Sequence, residues 1–140
     1  MAQIELQLNL PRDARYVSLL RSVAHSLLHG LDVPRDSIDD VTLALSEACN
    51  NVVRHARGTE QYGVQLTVAA RTCEIEVCDL GPGLDSATAE AAAAAYPSSE
   101  AEYGRGLPLI RALVDDLQFV RDHGTTTVRL VKRWDAVGLG

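Results

Sequence analysis

A two-layer α/β sandwich, with helices covering one face of a mixed but mostly antiparallel sheet, is the fold class this sequence predicts. Three observations carry it. Five segments alternate apolar and polar residues, the period of a half-buried strand. Two longer segments between Asp13 and Gly58 instead repeat apolar residues at helical spacing. The resulting order, β-α-α-β-β-(loop)-α-β-β without an internal repeat, suits helices stacked on one side of a sheet. At 140 residues the chain is one domain's worth, and 1–140 is read as a single domain.

Each element has its own justification. Ile4, Leu6, Leu8 and Leu10 alternate with polar neighbours until Pro11 stops the strand. From Asp13 to about Gly30, the set Val17, Leu20, Ala24, Leu27, Leu28 and Leu31 makes a helix, with Gly30 expected at its C-terminal cap. Pro34-Arg35-Asp36-Ser37 starts a second helix, with Asp36 or Ser37 expected as N-cap. Ile38, Val41, Leu45, Ala48, Cys49, Val52 and Val53 line its apolar face to about Gly58. Val64, Leu66, Val68 and Ala70 form one strand and Ile75 and Val77 the next, joined by a turn at Arg71-Thr72. Ala87 to Ala95 is expected as a short helix and Pro97 to Glu102 as a mobile loop. Leu107 to Asp116 is helical, and strands over 117–121 and 126–132 flank an Asp-His-Gly turn.

Composition narrows the function. The net charge is −6, and no basic patch dominates, which argues against a nucleic-acid partner. Of 13 basic residues twelve are Arg and one, Lys132, is Lys. A P-loop needs its motif lysine, and a eukaryotic-type kinase needs a strand lysine ahead of its catalytic loop. Lys132 lies in neither context, so both designs are excluded. No apolar run approaches the roughly 18 residues that cross a bilayer, and Met1 to Glu5 lacks a secretory start, so a cytoplasmic protein without membrane contact is expected. Cys49, Cys73 and Cys78 show no C-x-x-C spacing and are expected as small buried hydrophobes.

Three segments are candidates for chemistry. In Ser46-Glu47-Ala48-Cys49-Asn50-Asn51-Val52-Val53-Arg54-His55-Ala56, the residues Glu47, Asn51 and His55 recur every fourth position and share one helix stripe. A carboxylate there can take a proton, and an amide oxygen can bind Mg²⁺. The same stripe also reads as the polar margin of an amphipathic helix. Asp79-Leu80-Gly81-Pro82-Gly83 stands where a strand ends. A carboxylate there can accept a hydrogen bond from an exocyclic amine, and glycines let a flat ring approach, although a plain turn has the same composition. Tyr103-Gly104-Arg105-Gly106-Leu107 leads into a helix, where free N–H groups suit phosphate and Arg105 adds charge.

In this order the segments resemble the Bergerat-fold ATPases, the superfamily of gyrase, MutL and the catalytic domain of histidine kinases. Within it the chain looks like the anti-sigma factor serine kinases of the RsbW and SpoIIAB type, over nearly its whole length. "SEACNNVVRHA" matches the N box, "DLGPG" the first glycine box and "GRGLPLI" the second. The resemblance implies a single histidine kinase-like ATPase domain with a flexible ATP lid at about 84–106. It implies ATP and Mg²⁺ as cofactors, Glu47 as catalytic base and Asn51 as Mg²⁺ ligand. It further implies Asp79 on the adenine amine, Gly81 and Gly83 alongside the base, and Gly104, Arg105, Gly106 and Leu107 at the lid over the phosphates. One Thr of 125–127 completes the adenine pocket, with two registers open and Thr126 taken as the candidate. For His55 a structural hydrogen bond and a ribose contact stay equally open, and Asn50 is read as a neighbour of Asn51. Tyr103, Pro108 and an acidic loop depart from the family pattern.

The function so implied is a serine kinase that phosphorylates a STAS-type anti-anti-sigma partner and in its other state sequesters a sigma factor, as a homodimer. The runner-up is a nucleotide-gated binding module that transfers nothing. A histidine-kinase catalytic domain acting in trans ranks below both, because His25 and His29 on the first helix are followed by no His-Glu phosphoacceptor pair.

Overall fold

A computed structural model describes residues 3–55, 60–79, 106–122 and 125–135. The elements are β1 (Ile4–Pro11), α1 (Arg15–Gly30), α2 (Arg35–His55), β2 (Gln61–Val68), β3 (Thr72–Asp79), α3 (Gly106–Leu113), β4 (Asp116–Asp122) and β5 (Thr125–Arg133). The expected helix over 87–95 and loop over 97–102 lie outside the described residues.

The five strands form one sheet in the order β1-β2-β3-β5-β4. All four ladders are antiparallel, so the parallel component expected of a mixed sheet does not occur among the described strands. The reason is the route back from α3. The chain re-enters at the edge as β4, then turns so that β5, not β4, lies beside β3. Register builds the core in rows. Leu8, Val64, Val77, Val128 and Phe119 lie opposite one another in sequence across the sheet, as do Leu6, Leu66, Ile75, Leu130 and Leu117. These side chains share the helix-covered face, because alternate residues of a strand point to one side. Leu20, Ala24 and Leu28 of α1 and Val41, Leu45 and Ala48 of α2 close the core above them.

The helix ends differ from expectation in an instructive way. Gly30 is the last helical residue of α1 and has open space around it. The left-handed residue is Asp32, at φ 58°. Its N–H donates to the His29 carbonyl at 3.1 Å, and the Val33 N–H donates to the Leu28 carbonyl at 3.1 Å. This pair of bonds satisfies the last free carbonyls of the helix. Their geometry fixes which position must be left-handed, and it falls two residues beyond the glycine. Helix α2 likewise begins earlier than Asp36 or Ser37 as N-cap requires. The Pro34 carbonyl already accepts from the Ile38 N–H at 2.9 Å, so Asp36 sits inside the first turn, where its charge suits the helix dipole.

The cysteines divide by face. Cys49 and Cys73 are buried, and burial pushes each thiol up to about 12, so both are neutral packing groups. Cys78, expected as buried, is only partly so, because strand alternation turns it away from the face that α1 and α2 cover. No helix among the described residues is long and apolar enough to cross a membrane.

Asp32 combines a left-handed backbone with a negative charge at the carbonyl end of α1, and both are unfavourable. Asp32→Gly is therefore expected to stabilise the protein by about 0.5–1 kcal/mol, the scale of the left-handed cost it removes. Thermal unfolding checks this; a lower midpoint in the variant would contradict it.

Candidate functional site

The site begins in the second half of α2. Asn51 is 3% exposed, and its side-chain oxygen Oδ1 is buried without a hydrogen-bond partner. An unpaired buried polar oxygen costs on the order of 1–3 kcal/mol, and the same helix shows how readily that cost is avoided. The Thr42 hydroxyl donates to the Ile38 carbonyl at 2.8 Å, and the Ser46 hydroxyl to the Thr42 carbonyl at 2.8 Å. Asn51 is left without such a partner. One turn earlier on the same stripe stands Glu47, partly exposed, with the Arg54 guanidinium 4.0 Å from Oε2. Arg54 itself is held loosely, its Nε–H donating to the Asn50 carbonyl at 3.3 Å.

The second half of the site is carried by the sheet. Asp79 is the last residue of β3 and 3% exposed, and the Thr126 N–H donates to its Oδ1 at 3.4 Å. Register explains the meeting. Cys78 pairs with Thr127 on the open face, so Asp79 and Thr126, one step on, fall on the helix-covered face. Strand alternation thereby separates the threonines that the sequence could not. Thr126 is buried beside Asp79, while Thr127 is opposite Cys78, and the Thr125 side chain lies outside the description.

A buried pair links the two halves. Tyr62 of β2 lies directly across from Asp79, and its hydroxyl, buried without a hydrogen-bond partner, lies near the thiol of Cys49 on α2. Burial, the first cause, raises the Tyr62 hydroxyl well above its ordinary range, so it stays protonated. Cys49 is two positions from both Glu47 and Asn51, and its burial in one core with Tyr62 seats their stretch of helix over the Asp79 end of the sheet.

The structure thus brings Asp79 and Thr126 into contact and sets Glu47 and Asn51 on one stripe of the covering helix. Gly106 and Leu107 open α3, with only their backbone described. Gly81, Gly83, Gly104 and Arg105, and the lid expected over 84–106 up to that helix, lie outside the described residues, as does the His55 side chain. Sequence reasoning missed Tyr62 and Arg54. The alternation Leu66, Val64 continued two residues upstream would have found the first, and the seven-residue spacing from Glu47 the second. A cavity of about 1150 Å³ at the other end of α2, walled by His25, His29, Arg35 and Trp134, includes none of the expected site residues.

Comparison with known proteins adds the following. The model of the histidine kinase-like ATPase domain family matches residues 10–132. The serine-protein kinase RsbW of Bacillus cereus (strain AH820) is 29% identical over 131 residues, which cover 89% of this chain and 82% of the relative. The serine-protein kinase RsbW of Bacillus anthracis (strain A0248) matches to the same extent. Among solved structures, the RsbU and RsbW domains of a Mycobacterium tuberculosis protein superpose with a TM-score of 0.69 at 21% identity. The match covers 93% of this chain and 32% of that one, so the chain spans about a third of that longer protein. The SiaB–SiaC complex from Pseudomonas aeruginosa matches with a TM-score of 0.62 at 16% identity, over 90% of this chain and 88% of that one. These two likenesses speak for the fold.

Asp79 and Asn51, both buried, should respond oppositely to removal. Asp79→Ala strands the Thr126 N–H and is expected to cost about 1–3 kcal/mol, whereas Asn51→Leu removes an oxygen that nothing satisfies and should be neutral or stabilising by up to about 2 kcal/mol. Chemical denaturation of both variants checks the pair. A loss above about 2 kcal/mol for Asn51→Leu would show that the amide serves the fold.

Proposed function

Because the chain belongs to the histidine kinase-like ATPase domain family, we propose that it is an ATP-dependent serine kinase. Its substrate is a STAS-type anti-anti-sigma protein, and in the alternate state it holds a sigma factor, acting as a homodimer in the cytoplasm. Support comes from the RsbW kinases it resembles over most of its length. That one structural neighbour was solved as a complex favours a dedicated protein partner. The observation that carries the reading is the Asn51 Oδ1, a buried oxygen donor with no partner, one turn from a partly exposed carboxylate.

The residues fit nucleotide and metal. Mg²⁺ accepts oxygen ligands, and Asn51 offers one already stripped of water. When bound, Mg²⁺ supplies charge neutralisation at the phosphates. Asp79 accepts from the adenine amine, and the Thr126 N–H steadies that carboxylate against rotation. Gly81 and Gly83, outside the described residues, would lie alongside the base as the family resemblance implies. Gly104, Arg105, Gly106 and Leu107 are assigned to the triphosphate by the same resemblance, where they would offer backbone N–H groups and one guanidinium. Arg54 brings further positive charge to the mouth at Glu47. This manner of gripping phosphate needs no catalytic lysine, which accounts for a nucleotide enzyme with one lysine in its sequence.

In the transfer itself, Glu47 accepts the hydroxyl proton of the partner's serine as that oxygen bonds to the γ-phosphorus. The bond from γ-phosphorus to the bridging oxygen breaks, and its electron pair leaves with ADP. Glu47 acts on the acceptor and takes no part in holding adenine, so its removal separates the two activities.

With ATP, Mg²⁺ and the cognate STAS partner, the wild-type chain is expected to yield phosphoserine on the partner. Glu47→Ala should lower that rate by about 10²-fold or more while leaving the ATP dissociation constant within about twofold by calorimetry. Wild type that binds ATP and transfers nothing would overturn the kinase and leave a nucleotide-gated binding module.

A further inference from the structure

The one lysine of the chain, outside every nucleotide-binding motif, occupies a structural crossing. Lys132 of β5 lies opposite Cys73, on the helix-covered face. Its side chain is 18% exposed, and its ammonium donates to Asp40 Oδ2 on α2 at 2.9 Å and to the Leu113 carbonyl, the last of α3, at 2.9 Å. Two separate bonds hold the turn after α3 to the same strand. The Asp115 N–H donates to the Val131 carbonyl at 2.8 Å, and the Arg133 N–H donates to Asp115 Oδ2 at 2.6 Å. These attach the end of α3 to the sheet, whereas Lys132 joins that end to a carboxylate on α2 as well.

Helix α3 packs directly against α2, and the clasp adds a polar tie at one end of that contact. It has eight residues, Ile110 is its fully buried side chain among those described, and Leu109 is 39% exposed. A positive charge at its carbonyl end suits the helix dipole, and here one charge satisfies a terminal carbonyl and neutralises Asp40 together. Asp40 precedes Glu47 by seven positions on α2, and Leu113 follows Gly106 by seven on α3. Each functional end therefore lies about 10 Å along its helix from the clasp. A small rotation of α3 about a released clasp would shift its first amides relative to the Glu47–Asn51 stripe.

We propose that Lys132 is a positioning residue for the nucleotide site: by tying the carbonyl end of α3 to Asp40 of α2, it sets the placement of α3's amino end against the helix that carries Glu47 and Asn51. This inference rests on the reading of that site as an ATP site. It assigns Lys132 no contact with nucleotide.

The test is calorimetric titration of the full chain with ATP and Mg²⁺. It compares wild type with Lys132→Met, which keeps the apolar stem, with Asp40→Asn, and with Leu6→Ala, a core truncation on β1 that destabilises the fold away from the clasp. Lys132→Met is expected to bind ATP at least about fivefold more weakly, and Asp40→Asn about twofold to threefold more weakly, since the carbonyl tie survives. Leu6→Ala, folded at the assay temperature, should bind as wild type. Folded Lys132→Met binding within about twofold of wild type would overturn the proposal, as would an equal loss in Leu6→Ala. Should Lys132→Met not fold, unchanged affinity in Asp40→Asn overturns it. Wild type that binds no ATP is a different result and fails the reading of the site itself.

Discussion

The antiparallel register of β3 on β5 decides on which face each polar group of the sheet lies. Val77 opposite Val128 and Ile75 opposite Leu130 lock it, all four buried under the helices. A slip of one residue would turn such a set to solvent, at about 1.5–3 kcal/mol for each large side chain, so the alternative is closed. With that register fixed, Asp79 at the strand's end must fall beside Thr126 and beneath α2. Neither residue is placed by its own chemistry; each is carried to its position by the apolar residues before and after it.

Helix α2 works under a similar constraint from above. Its apolar face is spent on the core, through Val41, Leu45, Ala48 and Cys49, and the stripe at its border carries Glu47 and Asn51. Two of the hydroxyls that α2 buries, those of Thr42 and Ser46, close onto its own carbonyls. The Asn51 amide oxygen and the Tyr62 hydroxyl are the buried side-chain polar atoms without a hydrogen-bond partner among the described residues, and both lie toward the Asp79 end of the sheet, where the proposed ligand would bind. The tie through Lys132 at the far end of the same helix shows the complementary device, a charge fully used for placement.

Much of this was legible in the sequence, for physical reasons that differ by element. The strand order of elements and the helix faces follow from period, because burial on one side of a strand or helix leaves a repeating mark. The stripe of Glu47 and Asn51 followed from helix geometry alone. Which threonine meets Asp79 was not legible, since three identical neighbours fit either alternation until the partner strand fixes the phase. The cap of α1 was misread because a glycine at position 30 is a composition signal, whereas the left-handed position is set by which carbonyls remain free, and Asp32 takes it. Lys132 escaped notice for a plainer reason. Its partner Asp40 is 92 residues away in sequence, and no local pattern announces such a contact.

The central claim is that Asn51 keeps an oxygen free for Mg²⁺ at a nucleotide bound by the Asp79 end of the sheet. Titrating the full chain with ATP, with Mg²⁺ and then with a chelator in its place, tests it most directly. The account predicts tight binding that weakens by about tenfold or more without Mg²⁺, and an Asn51→Ala variant, still folded, that no longer distinguishes the two conditions. Binding equally strong with and without the metal, or an Asn51→Ala chain that retains the full Mg²⁺ dependence, would contradict it.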